Sequence, residues 1–100
     1  MQVESAEVWV SAASIWEISI KASRGKLQAD PEQVLAAMEP AGFSLLPVTG
    51  GHAAYVAALG ALHGDPFDCL LVAQAKIEGM VLFTADAALA AYGSCVRLVP

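Results

Sequence analysis

The reading that decides the fold is that of His63-Gly64-Asp65-Pro66-Phe67-Asp68-Cys69-Leu70-Leu71-Val72-Ala73-Gln74-Ala75. Asp65 reads as an N-cap and Pro66 as the first helical residue. A carboxylate accepts from the exposed N–H groups of a first turn, and proline there gives up no hydrogen bond. Asp68 then falls at the third helical position, beside the positive end of the helix dipole, while Leu71, Val72 and Ala75 recur at helical spacing and turn inward. Two carboxylates therefore share one helix mouth. For a D-P-x-D by itself, helix capping is sufficient reason for both acids. A functional reading needs company elsewhere in the chain.

Upstream, Thr49 is placed to cap a helix whose apolar stripe is Ala53, Val56, Ala57 and Leu59, ending at Gly60, and Ala61 to Gly64 form a loop. Downstream, the Asp65 helix runs to about Glu78 and stops at Gly79. Met80-Val81-Leu82-Phe83 is a continuous apolar run of strand length, as in a strand covered on both faces. Thr84-Ala85-Asp86 follows at its C-terminal end, then a short alanine-rich helix to Tyr92 and a last strand, Val96-Arg97-Leu98. In the N-terminal half, Val8-Trp9-Val10 reads as a strand running into a helix. Ser11 or Ser14 is its cap, Ser14 and Glu17 having the S-x-x-E spacing of a capping box. Ile15, Ile18 and Ala22 mark its buried face and Gly25 stops it. Asp30-Pro31-Glu32 opens a second helix, with Val34, Leu35 and Met38 inward, and Phe43-Ser44-Leu45-Leu46 is a strand closed by Pro47. Trp9 and Trp16 read as core packing.

Strands alternating with helices predict an α/β domain with a mainly parallel sheet, and 100 residues bound it to one small domain spanning 1–100. Hydrophobic residues make up 57% of the chain, yet a charge, Gly or Pro interrupts every apolar run well before bilayer-spanning length. Met1 to Glu7 has neither a basic n-region nor an apolar h-region, which argues against a secretion signal and for a cytoplasmic address. Cys69 and Cys95 have the spacing of neither a metal ribbon nor a redox pair and read as small apolar residues. The net charge of −5 argues against strong sequence-blind attraction to nucleic acid. The basic cluster, Lys21, Arg24 and Lys26, gathers at the end of the first helix, where it either meets RNA phosphate or simply complements the dipole. His63 reads as a turn residue, and His52 as part of a helix start.

In parallel sheets the site lies outside the carboxyl ends of the strands, and Glu17, Asp68 and Asp86 are predicted to meet there. Three carboxylates at one edge repel one another unless they are paired. A hard divalent cation such as Mg²⁺ or Mn²⁺ removes the conflict, since it prefers carboxylate oxygens. The competing reading makes Glu17 a capping-box acid and Asp86 a helix N-cap.

Val10-Ser11-Ala12-Ala13-Ser14-Ile15-Trp16-Glu17-Ile18-Ser19-Ile20-Lys21, then Gly25-Lys26-Leu27, Leu46-Pro47-Val48-Thr49 with His52-Ala53, the Asp65 helix and Thr84-Ala85-Asp86 resemble PIN-domain proteins of the VapC toxin type, in that order. The resemblance covers nearly the whole chain. It implies a PIN-like three-layer fold and a Mg²⁺-dependent endoribonuclease toxin of a type II toxin–antitoxin system. It further implies an RNA substrate, a cognate antitoxin as partner and a homodimer, with no membrane association. Carried over by motif, Glu17, Asp68 and Asp86 are the catalytic acids, and together with Asp65 they hold the metal. The chain departs from the family pattern in starting just ahead of the second strand. It is therefore expected to be N-terminally truncated, without the first metal-binding aspartate and without a central strand. Glu4 and Glu7 precede the Val8 strand and are poor substitutes. Gly64 and Cys69 stand where such toxins often carry arginine. A second function class follows from these departures, a non-catalytic remnant that binds antitoxin or itself without cutting RNA. A metal-dependent phosphatase fits the acid spacing less well.

Overall fold

A computed structural model of the chain describes residues 7–60 and 65–100. The expected loop, with His63 and Gly64, lies largely outside the described residues, as does Glu4. The elements follow in the order β1 (Val8–Ser11), α1 (Ala12–Ser23), α2 (Pro31–Met38), β2 (Phe43–Leu46), α3 (Gly50–Tyr55), a 3₁₀ turn (Val56–Leu59), α4 (Pro66–Glu78), β3 (Leu82–Thr84), a second 3₁₀ segment (Ala87–Tyr92) and β4 (Val96–Leu98). The protein is mixed α/β, with parallel strands flanked by helices, consistent with a PIN-like fold. Its contacts divide it into two compact units, 1–47 and 48–100.

In the first unit β1 pairs with β2 in parallel, Val8 opposite Phe43 and Ser11 opposite Leu46. The last residue of β1 is also the cap of α1, because the Ser11 hydroxyl accepts the Ala13 N–H at 3.0 Å. The alternative capping box at Ser14 and Glu17 is not used, since the helix begins at Ala12. Asp30 caps α2 by accepting the Glu32 N–H at 3.0 Å, with Pro31 as the first helical residue. Burial here is thinner than the helical periodicity predicts. Ala13 and Met38 are buried, but Leu35 is exposed and Trp16, read as core, is 59% exposed. Ile15, Ile18 and Ala22 are only half-buried. A two-stranded pair offers little area to cover two helices.

In the second unit β3 and β4 form a separate parallel pair, Leu82 opposite Val96 and Thr84 opposite Leu98. The core gathers Leu59, Cys69, Val72, Ala73, Leu89 and Tyr92, with Val56, Leu82, Cys95 and Val96 packed against it. Neither cysteine forms a disulfide, and both pack in this core, as small apolar residues would. Three expectations are corrected. The Met80–Phe83 strand is not covered on both faces, for it shortens to Leu82–Thr84 and leaves Phe83 60% exposed under the Arg97 guanidinium, 5.9 Å from the ring centroid. The helix after Thr49 is α only to Tyr55 and tightens to 3₁₀ thereafter, with Ala53 and Ala57 outward and Leu59 inward. The alanine-rich segment to Tyr92 is likewise 3₁₀ rather than α.

Candidate functional site

The start of α4 is built as its sequence prescribes. Asp65 is extended, and its Oδ1 accepts the N–H of Phe67 at 2.9 Å and that of Asp68 at 3.4 Å. Pro66 opens the helix and Asp68 occupies its first turn, where the dipole favours negative charge. At the other end Gly79 closes the helix in the left-handed region, φ 67°, which a side chain would strain. The helix buries Cys69, Val72, Ala73, Gln74 and Ala75. The orientation of its acidic mouth is therefore fixed by the packing of the rest.

Asp86 lies directly after β3. Its own N–H donates to Thr84 Oγ1 at 3.1 Å, and its Oδ1 accepts the Ala88 N–H at 3.0 Å, so it caps the 3₁₀ segment from the end of a strand. In the first unit Glu17 is half-buried on α1, and its Oε2 pairs with Lys21 Nζ at 3.5 Å. Lys21 thus has a structural partner four residues back, a favourable i,i+4 order worth a few tenths of a kcal/mol at an exposed site. Arg24 and Lys26 are exposed just beyond the end of α1, where the Lys26 N–H donates to the Lys21 carbonyl at 2.9 Å.

The donor chemistry of Glu17, Asp65, Asp68 and Asp86 is oxygen only, which suits a hard divalent ion. Asp65 and Asp68 are brought together at one helix start. Among the described residues, however, no group of three or more His, Cys, Asp or Glu side chains is arranged to hold a metal ion. Two grooves among the described residues are not lined by these acids. One is lined by Leu35, Met38, Phe43 and Leu45, the other by Tyr55, Lys76, Met80 and Cys95.

Behind the α4 mouth, Tyr92 is buried with its Oη 3.8 Å from Cys69 Sγ. Burial is the main influence raising its pKa. The Cys69 hydrogen bond and charge, and then the charge of Asp68, push in the same direction. The Asp68 carboxylate is thereby felt directly at a tyrosine of the core. Sequence reading missed a second polar cluster, formed by His52, Glu78 and Gln74. Only its local half, Thr49 and His52 at capping-box spacing, is visible along the chain.

A model of the PIN domain family matches residues 2–94. The chain belongs to the PIN domain family. No curated protein and no solved structure matches it. The match runs through both compact units and takes in every acid named above. PIN domains are nuclease-type proteins that act on RNA and typically use a divalent metal. Among the described residues, no helix of this PIN domain is long and apolar enough to cross a membrane.

Proposed function

We propose that this PIN domain is a Mg²⁺- or Mn²⁺-dependent endoribonuclease of the VapC toxin type, working in the cytoplasm within a type II toxin–antitoxin system. The reading takes residues 1–100 as one functional domain. The observation that carries it is the mouth of α4 in a chain of this family, where Asp65 is locked by two backbone N–H groups and Asp68 sits in the first helical turn.

Glu17, Asp65, Asp68 and Asp86 are proposed as the acids that hold the ion, on the strength of the motifs they occupy. An ion held by these acids would supply charge stabilisation at the scissile phosphodiester and activation of a water. The protein's own contribution is to fix Asp65 and Asp86 at helix starts, where each carboxylate already accepts backbone N–H groups. Lys21, Arg24 and Lys26 are proposed to meet RNA phosphates, offsetting locally the repulsion due to a net charge of −5. A cognate antitoxin and a second copy of the chain are the proposed protein partners. The exposed Val8, Trp9, Phe43 and Leu45 of the first unit are in keeping with such contacts.

The experiment is cleavage of a fluorescent RNA by the purified chain with and without Mg²⁺ or Mn²⁺, beside Asp68→Asn. Cleavage that needs the ion and disappears in Asp68→Asn is the expected result. Cleavage unaffected by that substitution overturns the assignment of Asp68.

A second reading has its own observation, the lack of a three-residue metal group among the described residues. In it the domain binds an antitoxin or a second copy without cutting. Association seen by ultracentrifugation, with no metal-dependent cleavage by the intact chain, selects this reading.

A further inference from the structure

We propose that His52 is a proton-sensitive latch between α3 and α4, closed while its imidazole is neutral and opened when Nδ1 takes a proton. The ring is 1% exposed. Its Nδ1 lies 3.0 Å from the backbone nitrogen of Thr49, which can only donate, so Nδ1 is the acceptor and the ring proton is on Nε2. Nε2 in turn donates to Glu78 Oε2 at 2.8 Å, at the last residue of α4. The Gln74 amide nitrogen, one turn back on the same helix and also 1% exposed, lies 3.4 Å from Nδ1. One neutral ring thus closes the capping box of α3 and holds the final turn of α4.

The third position of a capping box ordinarily carries Glu or Gln, which stay acceptors through the neutral range. Histidine does not, since its charge changes between about pH 5 and 8. A proton on Nδ1 points a donor at the Thr49 N–H and at the Gln74 amide, so the cap bond is lost and two donors are left facing a third.

The charged group that faces the ring is Glu78 of α4, and its carboxylate favours the imidazolium. Its side chain is 37% exposed, so water screens that attraction, whereas the Nδ1 side is buried and crowded by donors. The 3₁₀ turn Val56–Leu59, which also packs here, brings only apolar side chains. Tyr55 on α3 lines a groove together with Lys76 of α4. A proton on Nδ1 removes the acceptor of the cap on the buried side, whatever Nε2 keeps with Glu78, and so opens the latch. This inference is independent of the nuclease reading, because it concerns the α3–α4 contact and not the α4 mouth.

The test uses the full chain carrying His63→Asn, which leaves His52 as the one remaining histidine of two. Side-chain ¹⁵N NMR is expected to give the Nε2–H tautomer near pH 7.5. The protection factor of the Thr49 amide is expected to drop about tenfold between roughly pH 7.5 and 5, the scale of one lost hydrogen bond. In His52→Gln, which keeps an acceptor at that position, protection should no longer depend on pH. In Glu78→Gln, which keeps the acceptor and removes the charge that favours the imidazolium, the drop should move to lower pH. The Nδ1–H tautomer, a Thr49 protection factor unchanged across this range, or a pH dependence that survives His52→Gln would each overturn the proposal.

Discussion

The backbone N–H of Asp68 donates to the Asp65 carboxylate across 3.4 Å, so the first acid of the pair holds the second in register. The same oxygen also takes the Phe67 N–H. Asp65→Ala is therefore expected to lower the unfolding free energy by about 1 to 2 kcal/mol, as for other lost N-caps. Asp65→Asn, which still accepts, should cost well under half of that. Urea titrations of the two variants check the order, and equal losses would mean that the cap bonds contribute little.

Asp68→Asn separates charge from structure. The substitution removes a favourable interaction with the helix dipole, worth about 0.3 to 1 kcal/mol. RNA cleavage, in contrast, should fall by about two orders of magnitude or more, the scale of removing one charge-stabilising group at a reacting centre. Thermal unfolding and cleavage measured on the same preparation distinguish the two effects.

Leu89 is 1% exposed in the core of the second unit, beside Val72 and Tyr92. Leu89→Ala should cost about 2 to 5 kcal/mol, the transfer term plus the cavity left behind. In so small a chain that is a large part of the total stability. Denaturant unfolding gives the value directly, and a loss below about 1 kcal/mol would mean that the site collapses or is wetter than its burial implies.

Tyr92 ionises later than a free tyrosine because its phenolate would be desolvated and would lie close to Cys69 and Asp68. A folded-state pKa raised above the unfolded value stabilises fully below about pH 10 and loses that contribution as the pH climbs through the folded value. Stability should therefore decline above about pH 10. Tyr92→Phe should flatten the decline and remove the late phase from an ultraviolet titration. An unchanged titration would place the late phase elsewhere.

The caps were legible because their chemistry is local. Asp30 and Asp65, each followed by proline, and Ser11 before an apolar helix act through neighbours two or three residues away. The outer limits of α4 and the placement of Asp86 after a strand followed from the same signals. Burial was less legible. Leu35 at helical spacing, Trp16 as a large aromatic and Phe83 in a continuous apolar run were each expected inward, yet whether a face is covered depends on what packs there, and the described strands form two-stranded parallel pairs. The shortness of α3 follows from its opening Gly50-Gly51, which lowers helix propensity by roughly 1 kcal/mol per residue. The Glu17–Lys21 pair has the i,i+4 spacing of a helix-surface ion pair, but the sequence also allows Lys21 to meet phosphate or the helix dipole. The His52–Glu78 bond joins residues 26 apart and leaves no periodic trace.

The two parallel pairs also differ in the length of chain each must gather. Val8 meets Phe43, 35 positions on, while Leu82 meets Val96 after only 14. Loop closure grows with the logarithm of length, so the β1–β2 pair carries an extra entropic cost of about 0.8 kcal/mol before any contact repays it. The short loop should close first, and order in the β3–β4 pair should precede order in the β1–β2 pair during refolding. A chain emerging from the ribosome makes the long-loop half first and completes the quick half last, so its earliest segment waits longest for its own strand partner.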